Sequence, residues 1–289
     1  MKKIGKLGVW VAADFLGKSD IVALAQGVER LNYDTLWYPE AFGYETFCYG
    51  GFILAETSRL RVASGIANIY ARDAIASAAG HDSLNNLYDG RFILGLGVSH
   101  IPMVEGFRGH DYGKPVTTMR AYLDAMERAE LMIPKPERTI VLAALGPKMT
   151  ALAGERTNGA HSYLVTPEHT ARSRAILGPN KWLCVEQKVC VTSDAAKARA
   201  AAAQVLALYL PWPNYSNNWL SLGFTQDDVS GRGSDRFLDA MVAWGTAAQI
   251  RARLQAHFDA GADHVCVQPL NPDGSRAVDM KALEALAGL

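Results

Sequence analysis

The chain has 289 residues, 49% of them hydrophobic and 20% charged, and its 29 Lys and Arg balance its 29 Asp and Glu. That length suits either one α/β barrel, which takes about 250 residues, or two small domains. Opposite charges are interleaved throughout, so no basic face is offered to nucleic acid or an anionic membrane. No apolar stretch approaches the roughly 20 residues that span a bilayer, and the expected setting is the cytoplasm.

The opening MKKIGKLGVWVAADFLGKSD has a basic start and a short apolar run, but Gly8 and Asp14 break it, and it reads as a first strand from Lys6 rather than a leader. Further strands are expected from Asp34, Leu60, Phe92, Thr139, Ala160, Trp182 and His264. All are near-continuous apolar runs, as parallel strands buried on both faces should be. Helices lie between them. Asp73 caps one that closes at Asp89-Gly90; Pro147 suits a first turn; Thr166-Pro167 opens another; Ser193 precedes the alanine-rich DAAKARAAAAQVLALYL. Eight such units without a change of composition favour a closed (β/α)8 barrel over an open sheet. Two stretches interrupt the alternation: SHIPMVEGFRGHDYGK after the fourth strand, and Pro211 to about Thr246, which carries Trp212, Tyr215, Trp219, Phe224 and Trp244. Read as long loops, they are candidates for function, the second as a lid over substrate or as dimer surface.

Cys48, Cys184, Cys190 and Cys266 have no CxxC spacing and read as reduced thiols, without a metal. Gly95-Leu96-Gly97 is no dinucleotide fingerprint, since His100 stands where the third glycine belongs. There is no GxxxxGK[ST], HExxH or GxSxG. In a barrel the chemistry sits at the C-terminal ends of the strands, where this chain offers Glu40, Gly65, Ile66, Asn68, Gly97 to His100, Leu145 with Gly146, and Val165.

LWYPEAFG at the second strand, RVASGIANIYARD at the third, DGRFILGLGVSH at the fourth and HFDAGADHVCVQPL at the last resemble the bacterial luciferase-like superfamily, in particular its branch of oxidoreductases that use the deazaflavin coenzyme F-420. The resemblance spans almost the whole chain in motif order. It implies a single luciferase-like TIM-barrel domain over residues 1–289, holding a flavin-like ring at the C-terminal face. It further implies hydride transfer between coenzyme F-420 and a small organic substrate, and suggests a homodimer. An FMN-dependent monooxygenase is the alternative enzyme, and a flavin-binding barrel without turnover the alternative of another class.

The resemblance also distributes roles. The family's third strand usually has a bulge with a cis non-proline peptide, which falls here on Gly65-Ile66 and would press on one face of the ring; without the resemblance, Ser64-Gly65 simply ends a strand. Asn68 would then point its amide at the ring's polar edge, or serve as a turn residue. Glu40 stands where many relatives have Asp: it could bond the cofactor or take part in catalysis, or be a capping or ion-pair residue. Gly95 and Gly97 are expected to let a planar cofactor approach the backbone, with Val98 and Ser99 passing over its tail. His100 takes the place of an acidic residue in the branch's sugar-phosphate dehydrogenases and is a candidate acid or base, or a loop histidine with a structural bond. Ala41 stands where those enzymes carry an active-site histidine, which argues against their substrate. Ala144, Leu145 and Gly146 match the turn that holds the cofactor phosphate at a helix N-terminus, with Leu145, Gly146 and Lys148 as donors because Pro147 has no N–H. His161 and Tyr163 alternate on the sixth strand, facing the barrel interior or the pocket mouth.

Overall fold

The structure, a computed structural model, describes residues 3–288. In chain order its elements are β1 (Leu7–Trp10), α1 (Lys18–Arg30), β2 (Thr35–Tyr38), α2 (Thr46–Ala55), β3 (Arg61–Ser64), β4 (Ala67–Asn68), α3 (Ala74–Leu87) and β5 (Phe92–Gly97). A π-helical turn (Pro102–Phe107) follows, then α4 (Pro115–Glu127), β6 (Ile140–Ala143), α5 (Pro147–Arg156), β7 (Gly159–Ser162), α6 (Pro167–Leu177), β8 (Trp182–Val191) and α7 (Ala195–Leu206). The chain ends through α8 (Pro213–Ser221), α9 (Asp235–Met241), β9 (Val242–Gly245), α10 (Ala247–Asp259), β10 (His264–Pro269) and α11 (Met280–Leu286).

The strands pair in parallel in the order β10, β1, β2, β3, β5, β6, β7, β8, and β8 pairs back onto β10 from His264↔Cys184 to Pro269↔Val189, which closes the barrel. These are the eight strands expected from the apolar runs, with β4 a short continuation of β3. The tenth, β9, adds to the upper half of β8, where Lys188 to Val191 pair with Val242 to Gly245 beyond the reach of β7.

Helix ends follow the local chemistry. Asp73 accepts the Ala76 N–H at 2.8 Å, and Thr246 with Gln249 forms a reciprocal capping box. The cap of α7 is Asp194, one residue beyond the expected Ser193, because its carboxylate reaches both Ala196 N and Lys197 N. The segment from Pro211 to Thr246 is not a loop either. It folds into α8, α9 and β9, since Tyr215 and Trp219 recur four residues apart and pack inward with Phe237 under the end of the barrel. Three of the cysteines are buried and Cys48 is exposed on α2; all four are free.

Leu, Val and Ile of the strands' outer faces pack against the helices, while Trp10, Trp37, Ile93, Val141, Trp182, Cys184 and Cys266 fill the barrel interior. His161 lies in that interior, stacked on Trp37 with ring centroids 4.6 Å apart, and burial drives its pKa down to about 3. A plugged interior leaves no passage, so a ligand is confined to the rim.

Candidate active site at the C-terminal rim

Between β3 and β4 the chain takes an extra step. Ala63 pairs with Ile93 and Ala67 with Leu96, so four residues advance on one strand while three advance on the other. This is a one-residue bulge, and the Gly65–Ile66 peptide within it is cis. Ser64 repairs the broken ladder: its Oγ donates to Gly95 O and accepts from Gly95 N, both at 2.9 Å. Gly65 is needed because a Cβ there would lie 2.7 Å from Trp10 Nε1 and 3.3 Å from Trp37.

The two glycines of β5 answer to the bulge rather than to a ligand. A Cβ on Gly95 would strike the Ser64 carbonyl, and one on Gly97 would strike the side chain of Ile66. Ser64 and Ile66 lie where those Cβ atoms would be, so Ile66 is the side chain that covers Gly97.

Glu40 braces the same bulge. Its backbone N–H donates to Ile66 O at 3.1 Å, and its carboxylate accepts from Thr46 N at 3.1 Å and Asn68 N at 2.9 Å. Arg72 binds both carboxylate oxygens in a bidentate pair. A carboxylate has about four lone-pair sites, and all are taken, so the geometry makes Glu40 an internal clamp on β4 with no acceptor left over for a ligand. Asn68 Oδ1 accepts from Tyr70 N at 2.9 Å, which fixes the amide and leaves Nδ2 uncommitted.

Beyond Gly97 the chain turns sharply. Val98 packs against the core, and Ser99 sits at φ 57° with its carbonyl accepting from Tyr112 Oη at 3.1 Å. His100 lies under α8, 4.5 Å from the ring of Trp212 and 5.7 Å from that of Tyr215. Desolvation there lowers the His100 pKa, opposed by a hydrogen bond that the ring donates to the Asn214 side chain, so the ring is neutral at neutral pH. On the far side of Gly97, the turn from Ala144 to Gly146 leads into α5. Ala144 is spent, its N–H on His161 O at 3.1 Å and its carbonyl on Ser162 Oγ at 3.2 Å. Gly146 is the N-cap of α5 without a side-chain cap, and nothing lies within 4 Å of where its Cβ would be. The start of α5 is thus uncapped and opens onto free space beside Gly146.

The other wall carries residues not foreseen as functional. Tyr163 emerges from β7 beside Trp10, ring centroids 5.0 Å apart, and its hydroxyl lies 2.8 Å from that of Tyr209 and 3.1 Å from Gln268 Oε1. Behind it, Lys188 and Glu186 form a fully buried ion pair at 3.2 Å, and Lys188 Nζ also bonds Gln268 Oε1 at 2.9 Å. Burial raises the Glu186 pKa and lowers that of Lys188, each opposed by its partner. The signal in the sequence is a Glu and a Lys two apart in WLCVEQKVCV: on a strand they share a face, and in an otherwise apolar run that face is buried.

Glu40, Gly65, Ile66, Asn68 and Gly97 are thus brought together around the bulge, Val98 and Ser99 follow directly after β5, Leu145 and Gly146 follow β6, and His100 stands apart beneath α8. Two clefts of about 230 and 570 Å³ lie at the opposite end of the barrel, around Thr139 and Trp182 and around Lys6 and Asp34, where strands begin. Among the described residues, no cluster of three His, Cys, Asp or Glu is placed to hold a metal ion, and no helix is long and apolar enough to cross a membrane.

The family model for luciferase-like monooxygenases matches residues 7–264. The chain belongs to that family of oxidoreductases. It is 27% identical to a Mycobacterium tuberculosis protein named as a coenzyme F-420-dependent oxidoreductase, across 90% of this chain and 92% of that one. It is 23% identical to the 5,10-methylenetetrahydromethanopterin reductase of Methanolobus tindarius, across 92% and 95%. Among solved structures, an F-420-dependent secondary alcohol dehydrogenase with an F-420-acetone adduct superposes with a TM-score of 0.76 at 14% identity, over 99% of this chain and 100% of that one, a likeness of fold.

Proposed function

We propose that the protein binds coenzyme F-420 on the rim surface running from the bulge to the N-terminus of α5, and exchanges a hydride between it and a small organic substrate. It does so as one domain spanning the chain, as a cytoplasmic homodimer. The observation that carries this reading is the pairing of a braced apolar ridge with an uncapped helix start: Ile66 packs against the backbone of Gly97, Ala143 lies beside them, and α5 begins at Gly146 without a side-chain cap and with open space beside it. Ile66 and the Gly97 backbone would hold a planar ring, and the start of α5 would receive an anionic tail. The name of the mycobacterial relative supports F-420 over FMN.

When bound, the deazaflavin supplies a two-electron carrier at a ring carbon, a chemistry the protein need only position. Asn68 Nδ2 would bond the polar edge of the ring, its residue fixed by the Tyr70 and Glu40 contacts of its other groups. Glu40 acts through Asn68 and is a positioning residue. Neutral His100 would take up or release the proton that accompanies the hydride, while Trp212 and Tyr215 would keep water from it.

The test is a titration of apoprotein with coenzyme F-420 and with FMN, oxidised and reduced, followed by fluorescence. Micromolar or tighter binding of the deazaflavin with weak FMN binding is expected. The reverse preference would move the protein to the FMN-dependent monooxygenases, and binding of neither would remove the reading.

A further inference from the structure

The segment that follows β5 has little apolar packing to hold it down. From Glu105 to Lys114 every residue is exposed except Arg108 and Tyr112, which are partly buried, and Gly109 and Gly113 take φ values of 70° and 64°. Of the π-helical turn before it, only Met103 and Val104 are buried. A run with so few buried contacts opens readily unless particular bonds close it. Tyr112 makes those bonds. Its hydroxyl donates to Ser99 O at 3.1 Å and its N–H donates to Glu105 Oε1 at 3.3 Å. Its carbonyl accepts the hydroxyl of Tyr70, and the two rings stack with centroids 5.9 Å apart.

We propose that Tyr70 and Tyr112 are positioning residues of the coenzyme site, a clasp that fixes the Ser99–His100 corner relative to the Asn68 amide. This rests on the reading of the C-terminal rim as the place where the coenzyme binds.

The connections carry the argument. Tyr70 donates its own N–H to Asn68 Oδ1 at 2.9 Å, so the residue that fixes the amide also holds Tyr112. At the other end, Ser99 sits at φ 57°, a region that residues other than glycine seldom adopt, and the Tyr112 hydroxyl ties its carbonyl in that arrangement. The next carbonyl, that of His100, accepts from Met103 N at 2.9 Å and Val104 N at 3.0 Å, so the same corner starts the π-helical turn. Burial pushes the pKa of the Tyr112 hydroxyl up to about 12, so it keeps its proton and remains a donor at neutral pH. Asn68 and His100 lie on different strands' ends, and the route through Tyr70, Tyr112 and Ser99 joins them by hydrogen bonds alone. Phe42 and Phe107, 70% and 62% exposed, also tie the segment to the loop after β2, edge to face at 5.4 Å, but two exposed rings in contact give Ser99 no direction.

Trypsin reads the clasp in the apoprotein. The Arg108–Gly109 bond lies inside the segment, Arg108 Nε is buried, and Lys114 precedes Pro115, a bond trypsin does not cut. Tyr112→Phe and Tyr70→Phe each remove one hydroxyl and keep the stacked rings, and each should speed cleavage at Arg108 about fivefold, the worth of one hydrogen bond. In a single clasp the second loss adds little, so the double variant should be cut within about twofold of either single one, whereas independent bonds would multiply to roughly 25-fold. Cleavage at Arg232, in an exposed turn elsewhere, is the internal reference and should not change. Tyr44→Phe, which removes a tyrosine bond to Leu16 O, is the control and should leave both sites as in the wild type. Tyr112→Phe should also bind coenzyme F-420 about fivefold or more weakly, with the emission of the bound deazaflavin shifted and the thermal melt within about 2 °C of the wild type. Unchanged cleavage at Arg108, multiplied losses in the double variant, or coenzyme affinity equal to that of the wild type would each overturn the proposal. Should Tyr112→Phe fail to fold, Tyr70→Phe carries the same comparisons. If the wild type binds neither F-420 nor FMN, the reading of the rim falls, while the cleavage rates of the apoprotein still decide the clasp.

Discussion

Arg72→Ala is the substitution that tests the bracing of the rim most directly. The Arg72 side chain is 11% exposed and that of Glu40 6%, so removing the guanidinium leaves a carboxylate in the interior with two backbone N–H donors and no cation. Breaking a buried pair by deleting one partner costs about 3–5 kcal/mol. Water can follow into the space vacated by so long a side chain, so the lower end, about 3 kcal/mol, is expected. At about 2–4 °C per kcal/mol for chains of roughly this size, the melting temperature should fall by on the order of 6–12 °C. Because Glu40 holds Asn68, coenzyme affinity should fall as well.

The assay is urea denaturation of the wild type, R72A, Glu40→Gln and the double variant, closed as a thermodynamic cycle. A coupling of about 2 kcal/mol or more is expected, where exposed pairs give about 0.2–1 kcal/mol. Arg120→Ala serves as the control: its pair with Glu155 has partners 43% and 54% exposed, and its loss should leave the melt unchanged. A coupling below about 0.5 kcal/mol for Glu40 and Arg72 would refute the buried clamp, because the pair would then be behaving as a surface one.

Gly95→Ala would drive a Cβ into the Ser64 backbone carbonyl, in a residue whose Oγ is tied to Gly95 by two bonds of 2.9 Å, so a loss of about 3 kcal/mol or failure to fold is expected in the same denaturation assay; a loss below about 1 kcal/mol would show that the bulge can shift. Gly146→Ala, with open space around it, should fold normally and change only coenzyme affinity. His161 and His257 are each held down to about 3, so the unfolded chain binds their protons first and stability is complete only above the ordinary histidine value of 6.5. Between pH 7 and pH 5 each should subtract about 2 kcal/mol, and unfolding at pH 5 should take up more than one proton; a flat profile over that range would contradict both. His100→Gln should lower turnover far more than coenzyme binding, and equal small losses in both would remove its role in proton transfer.

Much of the fold was legible because its signals are local. Each barrel strand is an apolar run, Asp73 and Pro147 mark helix starts, and the eightfold alternation favours a closed barrel over an open sheet. The region from Pro211 to Thr246 was misread because its helices are short and rich in Asn, Ser and aromatics, and their order comes from Trp219 and Phe237 packing on the barrel. At the rim, the sequence located the bulge, Glu40 and the turn before α5. It did not show that Arg72 saturates Glu40, nor that Ile66 fills the space over Gly97. Both are contacts between separate strands and loops, invisible to periodicity.

The Glu186–Lys188 pair shows where a sequence of this kind yields more than its motifs. A charge pair in a buried strand breaks the local rule for that strand, and such a break is most informative when the surroundings have been built around it. Here they have. Leu164 adopts φ 56°, uncommon for a branched residue, and in that conformation its N–H reaches Glu186 while its carbonyl accepts Trp219 Nε1 at 3.0 Å. The charge pair, the end of β7 and the position of α8 are therefore one unit. An apolar pair at 186 and 188 would cancel charge equally well, but it would leave the Leu164 N–H without a partner and α8 with a weaker hold on the rim. The ions are thus tied to the architecture, because Glu186 gives the Leu164 N–H its partner and Leu164 in turn seats Trp219 of α8.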